Sequence, residues 1–114
     1  MENTFETIID SMRNLALSRD VIPPEKWLAG AMKLNVLMEQ EVEKLIELEF
    51  IVAQKRKELL EKGNTVAYTK TMIEATDEYR EVQVQKARIK NAGDTILLAK
   101  KHATLSSELM RQNL

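Results

Sequence analysis

From Phe5 onward the apolar residues recur at helical rather than strand spacing. Phe5, Ile8, Ile9, Met12 and Leu15 form one stripe, which predicts a first helix over about residues 4–18. Asn3 is placed to cap it, with Glu6 three residues on. The segment RDVIPP then ends this helix and opens the next, because a proline disfavours helix in the residue before it yet suits a first helical turn. A second helix is expected from about Pro24 to Lys62, with Gly30 its one weak point. Gly63, Asn64 and Thr65 read as a glycine stop followed by a fresh N-cap. The third helix is expected over about residues 65–110. Its ambiguous stretch is Ala92-Gly93-Asp94-Thr95, where Asp94 could open a separate helix.

Steps of three and four residues select a seam on each long helix. On the second it is Ala31, Leu34, Met38, Glu41, Leu45, Leu48, Val52, Lys55 and Leu59; on the third, Tyr68, Met72, Ala75, Tyr79, Val82, Lys86, Ile89, Gly93 and Ile96. Folding the chain back at Gly63-Asn64 pairs 59 with 68, 55 with 72, 52 with 75, 48 with 79, 45 with 82, 38 with 89, 34 with 93 and 31 with 96. It also brings Glu41 to Lys86, a candidate structural ion pair, and leaves Lys55 facing Met72 with only its stem to carry the charge out to water. The predicted architecture is all-α, a single domain over 1–114. A short N-terminal helix precedes a long antiparallel coiled-coil hairpin whose paired seams run about 28 residues, or roughly 42 Å at ~1.5 Å per residue. An unbroken helix through Gly93 fits this register, with Gly93 facing Leu34.

Such a hairpin buries one stripe, and the helices carry more apolar surface than that. Leu28, Leu37, Val42, Ile46 and Ile51 lie off the seam of the second helix; Val66, Ile73, Val84, Leu97, Leu98, Leu105 and Leu109 lie off that of the third. The first helix, reaching about 22 Å, covers roughly half of the hairpin. The small residues Ala29, Gly30, Ala31, Ala92, Gly93, Ala99 and Ala103 suit its close approach. The remainder points to a homo-oligomer, most simply a two-fold dimer, with Leu97, Leu98, Leu105, Leu109 and Trp27 as candidate interface residues. Trp27 has a second reading as a capping aromatic, set by the same register against Lys100.

Composition narrows the chemistry. The 114 residues carry 17 Lys and Arg against 18 Asp and Glu, a net charge of −1, so no global field recruits nucleic acid or an anionic membrane. There are no cysteines, which excludes disulfides and thiolate sites and is compatible with a reducing, cytoplasmic setting. No apolar run approaches the ~20 residues of a membrane span, and the chain reads as soluble and unprocessed. His102 is the only histidine, and no glutamate stands three or four residues before it as a co-ligand; it reads as solvated or partly packed. Glu39, Glu41, Glu43, Glu47 and Glu49 point in different directions around their helix and read as a solvated face with Glu41 turned inward. No phosphate loop, nucleophile elbow or Cys/His constellation is present. The expectation is a non-enzymatic protein without catalytic residue, cofactor or metal.

A nucleic-acid role is the alternative. From Lys86 to Leu114 six cations face two anions, a local balance of +4, and Lys90, Lys100, Lys101 and Arg111 are its candidate phosphate contacts. The segment lacks interleaved aromatics and a docking motif, and helix C-termini favour cations for dipole reasons alone.

The pattern of WLAGAMKLNVLMEQEVEKLIELE followed by KGNTVAYTKTMIEATDEYREVQVQKARIKNAGDTILLAKK, residues 27 to 101, resembles that of small helical accessory proteins encoded by tailed bacteriophages. The resemblance implies a cytoplasmic protein made in a bacterial host and acting by binding; a protein partner is the expectation drawn from the surplus apolar surface. It transfers no site residues.

Overall fold

The computed structural model describes residues 4–112, and among these the chain is an all-α helical hairpin preceded by a short helix. The elements are α1 (Phe5–Ala16), α2 (Pro24–Glu61), α3 (Val66–Glu74) and α4 (Asp77–Gln112). Two compact units are formed, Met1–Glu39 with Lys90–Leu114, here the terminal unit, and Gln40–Ile89, the hairpin unit.

In the terminal unit, Thr4 caps α1 through a capping box: its side chain accepts from the Thr7 backbone N–H, and the Thr7 hydroxyl accepts from the Thr4 N–H. The expected cap, Asn3, lies outside the described residues. Phe5, Ile8, Ile9 and Met12 are buried and Leu15 is half-buried, as their spacing predicts. Gly30 shows where α1 meets α2, since a Cβ there would lie 2.8 Å from both Sδ and Cε of Met12. Ala31, Leu34, Ala92, Ile96, Ala99 and Ala103 complete this core. Gly93 does not face Leu34 as expected: an added Cβ would meet nothing within 4 Å. The helix nevertheless runs through it unbroken, and Asp94 opens no new element.

In the hairpin unit, Gly63 adopts a left-handed backbone, φ 91°, at the end of α2. Its N–H donates to Leu60 O at 3.0 Å and that of Asn64 to Leu59 O at 3.4 Å, a Schellman stop. The Asn64 amide side chain also donates to Leu59 O. Thr65 then caps α3 by accepting from the Tyr68 N–H. The third predicted helix is in fact two, broken at Ala75-Thr76. Thr76 Oγ1 donates to Ile73 O at 2.6 Å and accepts from the Tyr79 N–H at 3.2 Å, so one hydroxyl serves both the end of α3 and the start of α4. Asp77 and Glu78 supply the negative first turn that a helix N-terminus favours.

The two expected seams differ in outcome. Every seam position expected on α2 is buried or half-buried, and between Ala31 and Leu59 the only other position withdrawn from solvent is Leu37. Opposite it, Tyr68, Met72, Ala75 and Lys86 are exposed, while Thr69, Ile73 and Gln85 are buried. Ile73, expected to need an external cover, belongs to the core cluster with Val52 and Val82, against which Leu45, Leu48, Leu59 and Tyr79 pack.

Candidate functional site

The most elaborate polar constellation among the described residues lies in the hairpin unit, around Glu41. The side-chain amide of Gln85 donates to Glu41 Oε2 at 2.6 Å and to the Glu41 backbone carbonyl at 2.8 Å. Arg88 Nη1 donates to the same carboxylate oxygen at 3.0 Å and to Gln85 Oε1 at 2.8 Å. Glu41 is therefore paired, but with Arg88 rather than Lys86, whose side chain is exposed. The cause is geometric: α4 turns residues 85 and 88 inward and 86 outward. The three side chains bond to one another, so the cluster joins α2 to α4 within the hairpin unit.

Lys55 also has a partner that its sequence position concealed. Its Nζ lies 2.7 Å from Oε1 of Glu78, in the first turn of α4. The hydrogen bond donated by Lys55, together with one from Glu78's own backbone N–H, holds the Glu78 carboxyl below the usual glutamate range. A carboxyl whose folded-state pKa is depressed contributes stability above its unfolded value and loses it as pH falls through the folded value. Glu78→Gln is therefore expected to flatten the acid limb of the stability–pH curve. Equilibrium urea unfolding between neutral pH and pH 3 measures this, and a limb of unchanged slope would refute it.

In the terminal unit, Trp27 is 4% exposed and stacks on His102, with ring centroids 4.5 Å apart and planes inclined by 15°. It is thus a capping aromatic within its own unit, paired with His102 instead of Lys100, and its burial removes it from the candidate interface. A cleft of about 210 Å³ beside it is lined by Met12, Arg13, Ala16, Asn91, Asp94, Thr95, Leu98 and Ala99, and the buried indole N–H has no hydrogen-bond partner among the described residues. Stacked rings are worth ~0.5–1.5 kcal/mol beyond their area. His102→Ala is accordingly expected to destabilise this unit by about that amount, and His102→Phe by less. Denaturation followed by Trp27 fluorescence gives the comparison; equal losses in the two variants would show that the stack contributes nothing.

The other expected interface residues, Leu97, Leu98, Leu105 and Leu109, are each between 47% and 60% exposed. Lys90, Lys100, Lys101 and Arg111 are exposed as well. Lys100 and Arg111 line one groove with Pro24, Leu28 and Glu108, and this carboxylate dilutes the positive field there. Sequence reasoning misses Thr76, Glu78, Gln85 and Arg88. The run Thr76-Asp77-Glu78 carries a legible N-cap signal, whereas Gln85 and Arg88 are identifiable only from the inward face of α4.

No group of three or more His, Cys, Asp or Glu among the described residues is arranged to hold a metal ion, and no described helix is long and apolar enough to cross a membrane. No family model, curated protein or solved structure matches the chain.

Proposed function

We propose that this chain is a non-enzymatic interaction or assembly protein that works as a helical oligomer and presents helical surface to a protein partner. The supporting observation is large apolar side chains left in solvent on helices whose inward faces are already occupied: Val42, Ile46 and Phe50 on α2, and Leu97, Leu98, Leu105 and Leu109 on α4. Scattered apolar residues on a surface are ordinary, but repeated ones at helical spacing mark sites of association. The ionic groups of the seam are engaged with one another, which leaves the outer faces as the functional surface. A role as an accessory protein of a bacteriophage, acting in the host cytoplasm, accords with the sequence pattern over residues 27 to 101.

Sedimentation equilibrium over a wide concentration range tests the oligomer. The expected result is a species of twice the chain mass, and a monomer throughout would remove this reading. Nucleic-acid binding through Lys90, Lys100, Lys101 and Arg111 is the second reading, favoured only by their shared exposure; binding absent at low salt, or unchanged by added salt, would dismiss it.

A further inference from the structure

The outer face of α2 within the hairpin unit has a shape and a charge order that fit a second copy of itself. Val42, Ile46, Phe50, Ala53, Lys57 and Leu60 follow one another at three- or four-residue steps and so share one side of the helix. All are exposed; Ile46 and Phe50 retain 61% and 62% of their accessible surface. Towards the end of the stripe, Ala53, Arg56, Lys57 and Leu60 stand at positions i, i+3, i+4 and i+7 around a shallow hollow that Glu61 also borders. Four residues at that spacing form the hole that receives an apolar side chain from a facing helix. The small Ala53 supplies its depth.

Charge then selects the occupant and its direction. The first half of the stripe is flanked by the exposed Glu43 and Glu49, and the second carries the exposed Arg56 and Lys57, with Glu61 at its end 4.0 Å from Lys57 in a solvent-exposed ion pair, so the second half is basic by one net charge. A parallel copy would set acid beside acid and base beside base. An antiparallel copy sets each acidic half against a basic half. We infer that this protein dimerises through the outer face of α2, antiparallel and about a two-fold axis near Phe50, with Ile46 of each copy seated in the Ala53–Leu60 hollow of the other.

The register follows from seating Ile46. Val42 then lies opposite Leu60 of the other copy, Glu43 comes beside Lys57, and Glu49 beside Arg56. Phe50 sits next to the axis, where it meets its own symmetry mate and Ala53. The patch is self-complementary, as a two-fold interface must be: every contact off the axis occurs twice, and the aromatic occupies the centre, where anchors of binding energy concentrate. The flanking ion pairs fix direction more than they add affinity. This inference rests on the self-association reading above and assigns it a surface.

The chain has no cysteines, so introduced ones report geometry without background. The Val42→Cys and Leu60→Cys variants, mixed in equal amounts and oxidised under dilute conditions, are expected to form a disulfide-linked dimer, and neither variant alone should do so. Phe50→Glu is expected to weaken dimerisation in sedimentation by roughly tenfold or more while far-ultraviolet circular dichroism stays that of the parent. A parent dimer that tolerates Phe50→Glu, or whose Val42→Cys variant cross-links to itself, would overturn this surface and leave self-association standing. A parent that is monomeric at all concentrations would overturn both.

Discussion

Leu34→Ala is expected to lower the unfolding free energy of the terminal unit by about 2–5 kcal/mol, the range for truncating a fully buried leucine. Leu34 has no accessible surface at all, whereas Val36, two residues along the same helix, keeps 66% of its own. The upper part of the range is favoured by what else is buried there. Four of the residues buried in the same unit, Ala31, Ala92, Ala99 and Ala103, have no side-chain rotamers with which to fill a hole, which limits collapse around the truncated side chain. Val36→Ala is the control, and a change within about 0.5 kcal/mol is expected for so exposed a position. Urea denaturation monitored by Trp27 fluorescence, a probe placed inside the unit, compares the two. Equal costs would mean that Leu34 is not the packing centre its burial indicates. A loss near the upper end would put a variant close to unfolding at ambient temperature, given the 5–15 kcal/mol typical of whole domains.

The contrast between positions 34 and 36 is legible in the amino-acid sequence, because the three- and four-residue steps of the α2 seam lie within 38 uninterrupted helical residues and include 34 but not 36. The stop at Gly63 and the cap at Thr65 are legible for a local reason: a left-handed glycine and an N-cap hydroxyl act within a few residues of themselves. The opposite seam is not, and the reason is specific. Val82, Ile89 and Ile96 recur every seven residues and belong to the inward face under either of two readings. The intervening inward positions can then fall on the side of Lys86 and Gly93 or on that of Gln85 and Ala92. Apolarity does not separate these, since neither pair contains a large hydrophobe. The structure selects Gln85 and Ala92, both buried, because Gln85 can meet the Glu41 carboxylate while Ala92 permits close packing. Ahead of this stretch, a heptad pattern extended without interruption from the α4 side selects Tyr68 and Met72 over Thr69 and Ile73, because it overlooks the break at Thr76. Polar and small residues thus decide a register that large hydrophobes alone leave open.

Substituting around Glu41 tests that decision directly. Glu41→Ala is expected to cost about 1–3 kcal/mol, since it leaves the partly buried Arg88 guanidinium and the Gln85 amide without their shared acceptor. Arg88→Ala removes a charged donor from the same carboxylate and is expected to cost a comparable amount, whereas Lys86→Glu, on the exposed side of α4, is expected to change stability by no more than about 0.5 kcal/mol. Because Glu41 and Arg88 are in contact, their effects should not add: the double variant is expected to be more stable than the sum of the single losses predicts, by about 0.5–3 kcal/mol. The pairing of Glu41 with Lys86 makes the opposite forecast, a large loss for Lys86→Glu and additivity between positions 41 and 88. Equilibrium unfolding of the four variants separates the two arrangements. Triple replacement of Glu41, Gln85 and Arg88 by leucine would go further, because a buried ionic cluster exchanged for apolar residues is often neutral or stabilising. If the apolar variant gains stability while its hairpin helices slip or associate in more than one way, the polar layer serves to fix one alignment of α2 and α4 in the hairpin unit. A stable variant with one alignment would mean that the seam's apolar residues suffice to set the register.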